Sequence, residues 1–95
     1  MLIQHKESPS KGVFFINDDE ELVGELTYAL SSNNQMIIEH TEIDEELRGG
    51  NLGYKLVLKA VEYARSHQYK IIPVCQFASA VLEKKPEFQD VLEMD

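Results

Sequence analysis

Cysteine is nearly absent from this chain of 95 residues: Cys75 stands alone. No internal disulfide can form, and a disulfide scaffold or a cysteine-based zinc site is excluded. Tryptophan is missing. Positive charge is scarce. Nine Lys and Arg against seventeen Asp and Glu leave a formal net charge of −8 and a pI near 4.8. A field of that sign argues against nucleic acid or an anionic membrane as a partner. It keeps a protein soluble, and it can favour a cationic small molecule or amine. An anionic ligand would need local devices: backbone amides, a helix terminus and a few placed cations. No apolar run approaches membrane-spanning length. Met1 to Glu7 lacks the apolar core of a secretion signal. His5 and His67 are too scattered to suggest a metal site. The expectation is one small cytoplasmic domain over residues 1–95, a monomer or weak dimer.

What is present reads mostly as strand first and helix second. Leu2 to Gln4 and Val13 to Ile16 are short apolar runs separated by the turn residues Ser8 to Gly12. After the polar turn Asn17 to Glu20, Leu22 to Leu30 is most simply a third strand. Ser31 to Gln35 turns the chain again, and Met36 to Ile43 is a fourth. Short polar turns between them predict an antiparallel meander. Leu52, Leu56, Ala60 and Ala64, joined by Val57, Val61 and Tyr63, recur at helical spacing, with Lys55, Lys59, Glu62 and Arg65 opposite. Lys70 to Val74 is a fifth strand whose Pro73 marks an end, an edge or a splayed site. Ala78 to Lys85 reads as a short helix stopped by Pro86, and Val91 and Leu92 as a docked last turn. The order β-β-β-β-α-β-α defines an α+β domain.

The stretch Leu47-Arg48-Gly49-Gly50-Asn51-Leu52-Gly53 joins the fourth strand to the first helix. A strand feeding a glycine-rich turn that opens a helix suits phosphate. Amides at the helix N-terminus point outward, and the dipole favours negative charge. Glycines let an anion approach the backbone and permit φ > 0. A tight turn with no ligand is the plainer alternative. The spacing fits neither a dinucleotide fingerprint nor a Walker loop.

Arg48 through Gly53 resembles the acetyl-CoA pyrophosphate loop of the GCN5-related N-acetyltransferase (GNAT) superfamily. Arg48 and Gly53 match its pattern, and Asn51 stands where a glycine is usual. With His40-Thr41-Glu42 before it and Pro73-Val74-Cys75 with Phe77 after it, the chain is similar to very short single-domain GNAT-like proteins that lack the N-terminal substrate-binding helices. The resemblance implies a truncated GNAT-like fold whose fourth and fifth strands splay apart around acetyl-CoA. The pyrophosphate would lie on Gly49, Gly50, Asn51, Leu52, Gly53 and the following Tyr54, with Arg48 beside it. The pantetheine arm would run along Thr41, Glu42 and Ile43, and the acetyl group would end near His40 and Cys75.

Each side chain keeps an ordinary reading beside a functional one. Arg48 is a solvated cation or an anion contact. Lys55, Lys59, Lys84 and Lys85 belong to polar faces and helix ends, or reach a phosphate. Cys75, at the opening of the last helix, is core filler, an acetyl acceptor or an acid for the leaving thiolate. His40 is structural, or a general base for an amine or for Cys75. Strand alternation places Glu42 on the His40 face and Glu39 on the other, so Glu42 is the alternative base. Three functions compete: acetyl transfer from acetyl-CoA to an unidentified amine or protein acceptor, a non-catalytic acetyl-CoA-binding module acting with a partner protein, and a domain whose loop binds nothing.

Overall fold

The computed structural model describes residues 2–93, with only the backbone of Arg48 and Gly49. Four strands form an antiparallel meander: β1 (Ile3–Ser8), β2 (Lys11–Asp18), β3 (Glu21–Ser31) and β4 (Gln35–Ile43). Helix α1 (Leu52–His67) crosses back to β5 (Lys70–Pro73), which pairs parallel to β4, and α2 (Gln76–Lys84) follows. This is the α+β order expected. The first two strands are longer than the apolar runs suggested, because edge strand β1 continues through polar His5, Lys6 and Glu7. The β2–β3 turn is tight because Asp19 and Glu20 both adopt positive φ, the conformation a two-residue hairpin turn needs.

One face of the sheet carries the core. Leu56, Val57, Ala60, Val61 and Ala64 of α1 are fully buried against Ile16, Leu26, Tyr28, Met36 and Ile38. The charged side of α1 faces water, as its periodicity predicts. Ala78 and Leu82 of α2 join the same cluster. Val91 closes a last turn, its N–H donating to Phe88 O at 3.2 Å, and both Val91 and Leu92 are docked in the core, as expected. They run beside β5, where Ile71 N–H donates to Val91 O (2.6 Å) and Glu93 N–H to Ile71 O (2.9 Å), and so cover that sheet edge.

Two irregularities shape the functional end. In β4, Thr27 pairs with His40 but Tyr28 with Ile38, so Glu39 is an inserted bulge residue. The bulge reverses alternation. Met36 and Ile38 face the helices before it, and Thr41 and Ile43, paired with Leu26 and Gly24, do so after it. The second irregularity is the end of β5. Pairing stops at Ile38 and Pro73, where proline has no N–H for a further rung. Val74 N–H and Cys75 N–H both donate to Ile38 O, at 3.0 and 3.1 Å, as the chain turns away into α2. The fourth and fifth strands therefore diverge beyond Ile38.

Candidate functional site

The divergence opens a cleft of about 620 Å³ lined by His40, Thr41, Glu42, Ile43, Asn51, Gly53, Tyr54, Phe77 and Val81. Its walls are the bulged end of β4, the first turn of α1 and one side of α2. Its size lies within the roughly 300–1,000 Å³ range of small-molecule sites.

The floor is set by how α1 begins. A 3-10 turn over Glu45–Gly50 starts at Asp44, whose Oδ1 accepts from Glu46 N–H at 3.1 Å. Asn51 then takes the left-handed conformation (φ 62°, ψ 16°), and its carbonyl accepts the first α1 bond, from Lys55 N–H at 3.0 Å. Asparagine is the residue after glycine that tolerates this region best, which explains how Asn51 stands at a glycine position. The N–H groups of Leu52, Gly53 and Tyr54 occupy the first helical turn, where the helix itself offers no acceptor. Positive φ is needed at Asn51 and not at Gly50 or Gly53. Gly53 is small for another reason: an added Cβ would lie 2.8 Å from Phe77 Cζ. The aromatic ring of α2 rests on this glycine and forms part of the cleft wall.

Thr41 and Cys75 meet on the helix side of β4, where the Cys75 thiol donates to Thr41 Oγ1 at 3.5 Å. Cys75 is the N-cap residue of α2 and half-buried. Partial burial pushes its thiol pKa up. Hydrogen bonds from the Ala78 amide, the Thr41 hydroxyl and the Phe77 and Thr41 backbone outweigh that, and the net shift is downward from the ordinary thiol value.

His40 and Glu42 lie on the opposite, helix-free side. His40 Nε2 is 3.3 Å from Glu42 Oε2, and the side chains are 56% and 64% exposed. Alternation correctly paired these two residues. It failed for Glu39, which the bulge places beside Val13 and Thr27 on the same helix-free face. His40 lies on the helix-free side of β4 with Glu42, whereas Cys75, at the start of α2, meets Thr41 on the helix side. Both still border the gap in the sheet.

Gly50 is exposed and outside the cleft lining, and Leu52 packs on the core. The expected contacts of Arg48 and Gly49 fall outside what the structure describes. Lys59 pairs with Glu62 at 3.6 Å. Sequence reasoning did not single out Val81, which only α2 packing brings to the cleft. Lys85, named from the sequence for a helix end or a phosphate contact, holds its ammonium 5.5 Å from the Tyr54 ring centroid. Among the described residues no group of His, Cys, Asp or Glu is placed to hold a metal ion, and no helix is long and apolar enough to cross a membrane.

A meander whose fourth strand splays from a parallel fifth, with a helix opening into the gap, defines an acetyl-CoA-dependent transferase fold. The chain belongs to the GCN5-related N-acetyl-transferase family, whose sequence profile matches residues 13–91. A Staphylococcus aureus protein classed as a GCN5-like N-acetyltransferase, known from an NMR solution structure, is 37% identical. That match covers 95% of this chain and 87% of the other, with a TM-score of 0.75. A Bacillus anthracis protein classed as a streptothricin acetyltransferase, solved in complex with acetyl coenzyme A, shares the fold at 18% identity. Its TM-score is 0.64, over 78% of this chain and 48% of that one. A ribosomal-protein-alanine N-acetyltransferase from Brucella melitensis does so at 15% identity and a TM-score of 0.64, over 82% and 64%. The chain thus spans about half to two thirds of the larger acetyltransferases it resembles. No curated protein matches it by sequence.

Proposed function

We propose that this chain binds acetyl-CoA in the cleft between β4 and β5 and transfers its acetyl group to an amine. The observation that carries the reading is the convergence of the bulged β4 end and the first turn of α1 on one cleft of about 620 Å³. The donor set fits the ligand. First-turn amides suit an anionic pyrophosphate, and an extended strand edge suits a pantetheine arm carrying amides. The B. anthracis relative, which holds acetyl coenzyme A on the same fold, adds support.

Acetyl-CoA supplies an activated acyl carbon and a thiolate leaving group. The chain's part is to hold and orient it and to manage protons. N–H groups beside the gap can stabilise the negative charge that develops on the carbonyl oxygen. His40, or Glu42 paired with it, takes the proton of the incoming amine from the helix-free side. Cys75, held by Thr41 on the other side, protonates the departing thiolate or accepts the acetyl group transiently. An amine acceptor is also consistent with the net charge of −8.

The chain's short span against the larger acetyltransferases favours a second reading, a binding module without turnover that acts with a partner protein. One experiment separates the two. Titration of isotope-labelled protein with acetyl-CoA, followed for released CoA over hours with a panel of amines, is expected to shift residues 40–54 and to release CoA. Shifts without release across the panel would favour the module, and no shifts would reject the cleft.

A further inference from the structure

We propose that Lys85, seated on Tyr54, is the specificity-determining residue by which this cleft tells 3′-phosphorylated coenzyme A from its dephosphorylated form. On the acetyl-CoA reading, on which this assignment depends, the ligand brings two separate anionic centres. The amides of the first turn of α1 suit the pyrophosphate. The ribose 3′-phosphate is a monoester, close to doubly charged at pH 7. On a chain of net charge −8 it needs a cation of its own.

The described cations narrow the choice. Lys59 pairs with Glu62, Arg65 pairs with Asp90, and Lys70 donates to Asp90 O. Lys6 lies over Phe15 of β2. Among the described residues Lys85 is the cation seated on a residue of the cleft wall. Its Nζ lies 5.5 Å from the centroid of the Tyr54 ring, and no carboxylate pairs with it. Phe88 ties the two together. It is buried in the core, its ring centroid is 6.5 Å from that of Tyr54, and its N–H donates to Lys85 O at 3.1 Å. Tyr54 is the third residue of α1, which sets the ammonium beside the first turn. The ring attracts the ammonium without neutralising it. It also restricts the flexible Lys stem, so less freedom is lost when an anion arrives. A compact ammonium with rotatable donors suits a phosphate monoester.

Calorimetric titration with CoA and with 3′-dephospho-CoA tests the assignment through binding alone. Wild type is expected to bind CoA about fivefold more tightly, the scale of one exposed charge pair. Lys85→Gln should weaken CoA by about the same factor, leave dephospho-CoA unchanged and so erase the preference. Lys85→Arg, which keeps the charge, should retain most of it. Lys11→Gln removes the same charge from the start of β2, outside the cleft, and should keep the preference intact. Both positions are exposed, and circular dichroism verifies that the variants are folded. Equal affinity of wild type for the two ligands, a preference that survives Lys85→Gln, or one lost equally in Lys11→Gln would overturn the assignment while the cleft stands. Binding of neither ligand would overturn the acetyl-CoA reading and the assignment with it.

Discussion

Gly53 and Cys75 each depend on a neighbour supplied by another element. Gly53 has ordinary backbone angles, so its smallness serves the Phe77 ring that rests on it. That ring is 44% exposed and can swing, and the direction open to it is the cleft. Gly53→Val should therefore leave the protein folded and weaken acetyl-CoA binding by about tenfold or more, of order 1.4 kcal/mol. Adding Phe77→Ala should restore part of the loss, because the two effects share one contact. Calorimetric titration of the two single variants and the double variant checks this coupling, and strict additivity would refute it. For Cys75, the lowered pKa predicts an alkylation rate whose pH midpoint lies below that of a free thiol. Thr41→Val should move the midpoint upward by removing a hydroxyl that stabilises the thiolate. Cys75→Ala should keep acetyl-CoA binding and slow acetyl transfer. Unchanged turnover would remove the thiol from the chemistry.

At the scale of elements, α1 was legible almost to the residue because its apolar period and its charged side agree. Strand β4 was legible as a strand, but the Glu39 bulge was not. No glycine or proline marks it, and it exists only as a mismatch with β3. That single insertion decides which side chains meet. It puts Thr41 with Cys75 and leaves His40 with Glu42 on the other face. The splay was legible through Pro73, whereas the course of the C-terminal segment was not, because a long-range clamp fixes it. Arg65 Nε and Nη2 grip the Asp90 carboxylate at 2.9 Å each, and Arg65 Nη2 also donates to Glu87 O. The hydrogen bond from Arg65 holds the Asp90 carboxyl below the usual range. A depressed folded-state pKa contributes stability above the unfolded-state pKa, near 3.9, and loses it as pH falls through the folded value. Both side chains are more than a third exposed, so solvent screening limits the contribution to about 1 kcal/mol or less. Urea unfolding should show Asp90→Asn slightly less stable than wild type at pH 7, with the difference vanishing near pH 2. A difference that persists in acid would mean the clamp acts through packing instead.

The whole molecule sets a condition that no single contact reveals. Acetyl-CoA is an anion, and the protein carries a net charge of −8 within extents of 39 × 30 × 19 Å. At about 10 mM salt the screening length is about 30 Å, so an approaching ligand feels nearly the entire charge. At about 150 mM it is about 8 Å, and only groups around the cleft are felt. There the amides of the first turn of α1 and the Lys85 ammonium beside Tyr54 work against the charge of Glu42 in the cleft wall. Encounter and retention should therefore respond differently to salt. The association rate constant for acetyl-CoA should rise several-fold between about 10 and about 150 mM, because repulsion is screened before the ligand reaches the cleft. The dissociation rate should change less, since amide contacts act at short range. Stopped-flow measurements across that range, at constant pH, read both constants. An association rate that falls with salt would show that cations near the cleft outweigh the net charge. The acidic surface would then act on the acceptor amine rather than on the approach of the cofactor.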